Sequence, residues 1–86
     1  MKHYTIQYTR PAREELEALS VEIQNRIVAA IDSLTENPRP RGSKKLKGGT
    51  NEYRIRVGNY RVIYEIDDKT VVVLIVRIAH RKDAYR

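Results

Sequence analysis

Apolar and polar residues alternate with period two along residues 52–65, EYRIRVGNYRVIYE, and the alternation breaks once, at Gly58-Asn59. Such alternation marks a strand with one buried face, and a Gly-Asn pair tolerates the positive φ of a two-residue hairpin turn. The stretch therefore predicts a β-hairpin in which Val57 faces Tyr60, Arg56 faces Arg61, Ile55 faces Val62, Arg54 faces Ile63 and Tyr53 faces Tyr64. Successive side chains then separate by face. Arg54, Arg56 and Arg61 share one face; Tyr53, Ile55, Val57, Tyr60, Val62 and Tyr64 share the other. Like charges directly opposite on adjacent strands oppose pairing by up to about 1 kcal/mol. No carboxylate stands in register to neutralise Arg56 or Arg61, so the face is expected to meet an anion, and a polyanion is the natural candidate.

The same patterning assigns the rest of the chain. Residues 2–9 alternate, with Tyr4, Ile6 and Tyr8 against His3, Thr5 and Gln7, and predict a first strand. Thr9 is placed to cap a helix with Pro11 in its first turn; Ala12, Leu16 and Leu19 carry it to about residue 19, with Glu14 and Glu15 near the positive end of its dipole. Ser20 caps a second helix along the apolar stripe Ile23, Ile27, Ala30, Ile31 and Leu34, which ends before Asn37-Pro38. The acidic outer face of this helical hairpin reads as solvated. Residues 38–50, PRPRGSKKLKGGT, read as a loop with the single apolar anchor Leu46. After the hairpin, residues 67–70 predict a turn, and the β-branched run 71–78 a central strand covered on both faces. The expected fold is α+β in the order β-α-α-β-β-β, a helical hairpin packed on a largely antiparallel twisted sheet, with residues 1–86 forming one domain.

Charge sharpens this picture more than composition does. The chain of 86 residues carries a net charge of +6, unevenly spread. Residues 10–36 hold the cations Arg10, Arg13 and Arg26 against six acids, whereas residues 39–61 hold eight cations against Glu52 alone. Local basicity of this kind is the footprint of a nucleic-acid partner. There is no cysteine, which excludes disulfides and thiolate metal sites, and two histidines, His3 and His80, are too few for a histidine zinc site unless carboxylates complete it. No metal or other cofactor is expected. Nothing near the amino terminus resembles a signal peptide, and the apolar run 71–76 is too short to span a membrane, so the expectation is a soluble cytoplasmic protein.

Candidate chemistry gathers at one end of the predicted sheet. If the second turn centres on Asp68-Lys69, Ile75 faces Val62 and Val76 faces Arg61, which delivers His80, Arg81 and Tyr85 to the end bearing Arg56 and Arg61. Lys44, Lys45 and Lys47 lead into the arginine face and are candidate phosphate contacts. Gly48-Gly49 lacks the following Lys-Ser or Lys-Thr and the preceding buried strand of a nucleotide-hydrolase loop.

The element order, the loop KKLKG, the hairpin YRIRVGNYRVIYE and the terminal IAHRKDAYR resemble the RelE/ParE toxin superfamily of toxin–antitoxin systems over nearly the whole chain, and specifically its RelE-type mRNA interferases. The YR(V/I)xY part is shared across the superfamily; His-Arg followed by Tyr is more typical of the RNA-cleaving branch. The resemblance implies a toxin that inhibits translation by cutting mRNA in the ribosomal decoding site until a cognate antitoxin covers it in a hetero-oligomer. By position it implies a catalytic set of Arg54, Arg56, Arg61, Arg81 and Tyr85, with His80, Lys44, Lys45 and Lys47 as RNA-binding neighbours. Members similar to this chain have lysines where Arg54 and Arg56 stand, and arginine is a poor proton shuttle, so the resemblance leaves the proton acceptor open. Tyr85 is suited to act as base, to orient the 2′-OH or to stack on a nucleobase; His80 or Arg56 suits the acid side. The scarcity of carboxylates implies cleavage without metal, by the substrate's own 2′-OH. Two other readings share the fold or the charge: a ParE-like gyrase poison, and a non-catalytic nucleic-acid-binding module.

Overall fold

The computed structural model describes residues 3–46, 48 and 51–82. The elements run β1 (Thr5–Tyr8), α1 (Arg10–Glu17), α2 (Val21–Ser33), β2 (Lys44–Lys45), β3 (Glu52–Val57), β4 (Tyr60–Asp67) and β5 (Val72–His80). They form a five-stranded sheet in the order β1-β5-β4-β3-β2, antiparallel except for the parallel pair β1 and β5. This is the expected α+β architecture with one addition. The stretch expected to be a loop contains a two-residue edge strand, Lys44 facing Arg54 and Lys45 facing Tyr53.

Both helices start where the capping residues place them. The Thr9 hydroxyl accepts from the Ala12 N–H at 3.2 Å, and the Ser20 hydroxyl from the Ile23 N–H at 3.4 Å. The helices pack one face of the sheet: Ala12, Ile27, Ile31 and Leu34 bury against Ile55, Val62, Tyr64, Ile66, Val73, Ile75 and Ile78. The other face has no helix over it, and Val72, Leu74 and Val76 are only half-buried there, so β5 is not covered on both faces as its composition suggested.

Two further expectations need correction. Helix α1 has no acid in its first turn, so Glu14 and Glu15 sit beyond the strong part of the dipole. Glu15 is not a solvated carboxylate either. Its Oε1 accepts from the Ile78 N–H at 2.8 Å and its Oε2 from Arg77 Nε at 2.8 Å. These bonds cover the edge that β5 exposes once β1 has ended at Tyr8, which would otherwise invite another strand.

The β4–β5 register also differs. Val62 faces Ile78 and Arg61 faces Ala79, not Ile75 and Val76. Part of the shift comes from a longer turn, in which Asp67 faces Val72 and Val71 takes a positive φ of 58° that few β-branched residues adopt. The Asp67 carboxylate stabilises this turn by accepting from the Lys69 and Thr70 N–H groups at 3.0 and 3.1 Å. The rest is a β-bulge: Ile63 faces Arg77 while Tyr64 faces Ile75, leaving Val76 as the extra residue. The Val76 carbonyl accepts from the Thr9 hydroxyl at 3.0 Å, so the helix cap and the bulge share one side chain.

Tyr64 is fully buried beneath this sheet and donates its hydroxyl to the Pro38 carbonyl at 2.8 Å. Burial first, and the neighbouring Tyr53, push its phenol up to about 12. The unfolded chain ionises near 10, so the contribution is complete below pH 10 and is lost as pH climbs from 10 towards 12. We expect stability to fall by about 2 to 3 kcal/mol across that window. Tyr64→Phe should be less stable at neutral pH but should lose part of this alkaline slope, as read by urea unfolding between pH 8 and 12.

Candidate functional site

The site begins at the tip of the β3–β4 hairpin. Gly58 has φ of 60° and Asn59 does not have positive φ, so glycine occupies the first central position of the turn, as a type II′ hairpin requires. With the turn limited to these two residues, every pairing expected from the sequence is found, including Arg56 opposite Arg61. Both lie on the face away from the helices, as do Arg54 and its neighbour Lys44. Lys45 faces Tyr53 and so belongs to the helix side, away from the arginines. Arg56 is exposed, Arg54 and Arg61 are half-buried, and the Arg61 Nε is out of contact with solvent.

The bulge and the longer turn carry β5 to this tip rather than merely near it. His80 faces Tyr60, and their rings meet edge to face at 5.3 Å between centroids. The Arg81 N–H then donates to the Asn59 carbonyl at 2.8 Å, tying the end of β5 to the turn. The result is a cleft of about 340 Å³ lined by Arg56, Gly58, Tyr60, Arg61 and Arg81. A neighbouring cleft of about 390 Å³, lined by Arg41, Gly42, Arg54, Ile55 and Arg56, shares Arg56 with it. The structure thus brings Arg54, Arg56, Arg61 and Arg81 along one groove. Tyr85 and Lys47 lie outside the described residues.

Three residues join the site that the sequence pattern places elsewhere. Arg41 reads as one cation among several in a loop; Gly42, with φ of 95°, turns the chain so that Arg41 lines the Arg54 cleft. Tyr60 belongs by alternation to the apolar face, but at the strand end it lines the arginine cleft. Arg26, on a helix rich in acids, reaches the hairpin tip. A positive-φ glycine beside Arg41 is a usable signal; the position of Arg26 depends on packing between distant elements.

The remaining basic residue of the loop has a structural role. Arg39 donates to Asp68 through Nη2 at 2.9 Å and Nη1 at 3.4 Å and to the Tyr53 hydroxyl through Nε at 3.1 Å, while the Tyr4 hydroxyl donates to Asp68 Oδ1 at 2.7 Å. The hydrogen bond to Asp68, with burial, holds the Tyr4 phenol above its usual range. This cluster pins the loop carrying Arg41 to the sheet.

Chemically, the groove offers planar guanidinium groups, which bind phosphate oxygens as forks and stay charged at any physiological pH. His80 packs against Tyr60 and does not itself line either cleft. Its Nδ1 accepts from the Lys82 N–H at 3.3 Å, a pattern that assigns the proton of the neutral ring to Nε2. Among the described residues no three His, Cys, Asp or Glu side chains come together as metal ligands would, and no helix is long and apolar enough to cross a membrane.

The half-covered, largely antiparallel sheet presents a groove of arginines at a hairpin tip, a charge arrangement that suits a polyanion. The family model of the ParE toxin of type II toxin–antitoxin systems matches residues 6–85. Toxin RelG of Mycobacterium tuberculosis is 34% identical over 84 residues, 96% of this chain and 97% of that protein. Among solved structures, the RelE–RelB complex of Pyrococcus horikoshii superposes with a TM-score of 0.83 at 30% identity, covering 95% of this chain and 99% of that one. The RelBE2 toxin–antitoxin complex of M. tuberculosis gives 0.79 at 34% identity, covering 92% and 99%. The chain belongs to the RelE/ParE superfamily of type II toxin–antitoxin toxins, and its relatives place it among the RelE-type members.

Replacing Arg56 by Ala removes the cross-strand repulsion with Arg61. At low ionic strength the free variant should be at least as stable as the wild type, by up to about 1 kcal/mol. It should also lose most of the rise in melting temperature that polyphosphate induces in the wild type. A variant that melts lower while keeping the polyphosphate response would remove Arg56 from the anion-binding face.

Proposed function

We propose that this toxin is a RelE-type endoribonuclease that cuts mRNA in the ribosomal decoding site through attack of the substrate's 2′-OH on the adjacent phosphate. The observation that carries this reading is the cleft where Arg56, Arg61 and Arg81 converge beside Tyr60. In-line attack of a ribose hydroxyl needs a base, cations for the dianionic transition state and an acid for the departing 5′-oxygen. Arg61 on β4 and Arg81, one residue past the end of β5, come to the phosphate from two sides and supply the cations. Arg54 and Arg56 extend the positive surface along the incoming strand, with Lys44 beside them on the same face. His80, with its proton on Nε2, is suited to the leaving group, with Arg56 as the other candidate. The assignment of Tyr85 to the 2′-OH rests on the family resemblance. Guanidinium and ammonium groups, rather than a carboxylate cage, meet the developing charge, so cleavage proceeds without metal.

A cognate antitoxin is the proposed partner, as RelB is in the P. horikoshii complex. It is an acidic segment that covers the arginine face and stabilises the small domain by binding only its folded form. The match to the ParE model supports a second reading, a gyrase poison. Mapping mRNA ends after brief expression separates the two, since a ribonuclease leaves discrete cuts at ribosome-occupied codons and a gyrase poison leaves broken DNA.

Arg61→Ala and Arg81→Ala should each lower the cleavage rate by about two to three decades, equivalent to ~3 to 4 kcal/mol of transition-state stabilisation, with the melting temperature little changed. Wild-type toxicity in either variant removes that residue from the site. Products should carry a 5′-hydroxyl and a 2′,3′-cyclic phosphate or its 3′-phosphate, and mRNA with a 2′-deoxy residue at the scissile position should bind programmed ribosomes with toxin yet stay intact. Products with 5′-phosphates would show that water is the nucleophile.

A further inference from the structure

Arg26 lies on α2 and reaches the hairpin tip. A methyl group added at Gly58 would stand 3.4 Å from its Nη2, 3.6 Å from its Nη1 and 3.7 Å from its Cζ, so the guanidinium lies across the bare glycine. Glu22 stands four residues before it, the favourable spacing and order for a helical ion pair. Yet among the described residues Arg26 makes no ion pair or hydrogen bond. It lines instead a small cleft of about 90 Å³ with Ile23, Val57, Gly58, Asn59 and Tyr60. Gly58 and Tyr60 also line the cleft of Arg56, Arg61 and Arg81. The two hollows therefore adjoin at Gly58 and Tyr60.

We infer that Arg26 is an RNA-binding residue that holds the phosphate one nucleotide away from the scissile one, so that the strand passes over the hairpin tip from the sheet face onto α2. This rests on the endoribonuclease reading. The charge is well placed for such a contact, because no carboxylate among the described residues occupies the guanidinium, and it lies over a turn whose missing side chain leaves room for it. Gly58 then has two duties, supplying positive φ for the turn and leaving room for Arg26 and the strand above it. Arg26 touches no reacting atom, so its effect falls on binding and alignment rather than on the chemical step.

The test compares Arg26→Ala and Arg26→Lys with the wild type on programmed ribosomes, and measures binding of a short fluorescent RNA bearing a 2′-deoxy residue at the cut site over a range of salt. Alanine on this exposed helical site should leave the melting temperature unchanged. It should raise KM about tenfold with kcat within about threefold, as expected for loss of one exposed charge-assisted contact. The slope of log affinity against log salt should shrink by about 0.7, the share of one single-strand phosphate, and Arg26→Lys should restore the slope while recovering affinity only in part. An unchanged salt slope, or a loss in kcat alone, would overturn the assignment of Arg26 to a phosphate. A wild type that neither cuts programmed ribosomes nor binds the oligonucleotide would overturn the ribonuclease reading itself, and this inference with it.

Discussion

Arg56 faces Arg61 because a two-residue turn at Gly58-Asn59 permits no other pairing, and this enforced meeting of like charges organises what surrounds it. Shifting the register by one residue would relieve the repulsion but would turn the apolar set of the slipped strand, Ile55 on β3 or Val62 and Tyr64 on β4, to water. Burying those side chains against α2 is worth roughly 1.5 to 3 kcal/mol each, several times the strand-to-strand repulsion of at most about 1 kcal/mol. The hydrophobic layer wins, and the arginines are held together on the open face. Like charges are therefore held side by side by the same burial that makes the hairpin stable.

A second constraint delivers the other half of the groove. The bulge at Val76 and the long turn before β5 advance the strand so that His80 meets Tyr60 and Arg81 reaches Asn59. A bulge leaves backbone groups that need partners. Here the Thr9 hydroxyl takes the Val76 carbonyl, and Glu15 takes the Ile78 N–H while pairing with Arg77. Helix α1 thus does more than cover the core: its cap and one of its carboxylates hold the irregular stretch that aims Arg81 at the cleft. Through this chain of contacts the strand end is tied to the hairpin tip.

The contrast between these two constraints explains what could be read from the sequence. The hairpin was legible residue by residue because its register depends on a local turn and a period-two pattern, both visible within fourteen consecutive positions. The helices were legible through Thr9, Ser20 and an apolar stripe. The β4–β5 register was not, since it rests on a positive φ at Val71 and on Glu15, a partner 63 residues away from Ile78. Lys44 and Lys45 gave no strand signal because a two-residue edge strand has no period to show. The arginine face was therefore foreseen, while Arg41 and Tyr60, which line its clefts, and Arg26, which reaches the hairpin tip from α2, were not.

The open face of the sheet is also polarised along its length. Glu52 faces Glu65 at the base of the hairpin, on the same side as Arg54 and Arg56, so two carboxylates meet at one end as two arginines meet at the other. Four residues of strand separate Glu52 from Arg56, or about 13 Å at ~3.3 Å per residue. That exceeds the screening length of about 8 Å at physiological salt. The acids consequently do little to neutralise Arg56, Arg61 and Arg81, whereas Arg54, midway along the strand, feels both ends. Guanidinium groups gather at the hairpin tip, from β3, β4, the residue after β5 and α2, while the acids lie at the base. A polyanion approaching this face is drawn to the tip and repelled from the base, so the charge pattern sets which end of the groove it occupies before any specific contact forms.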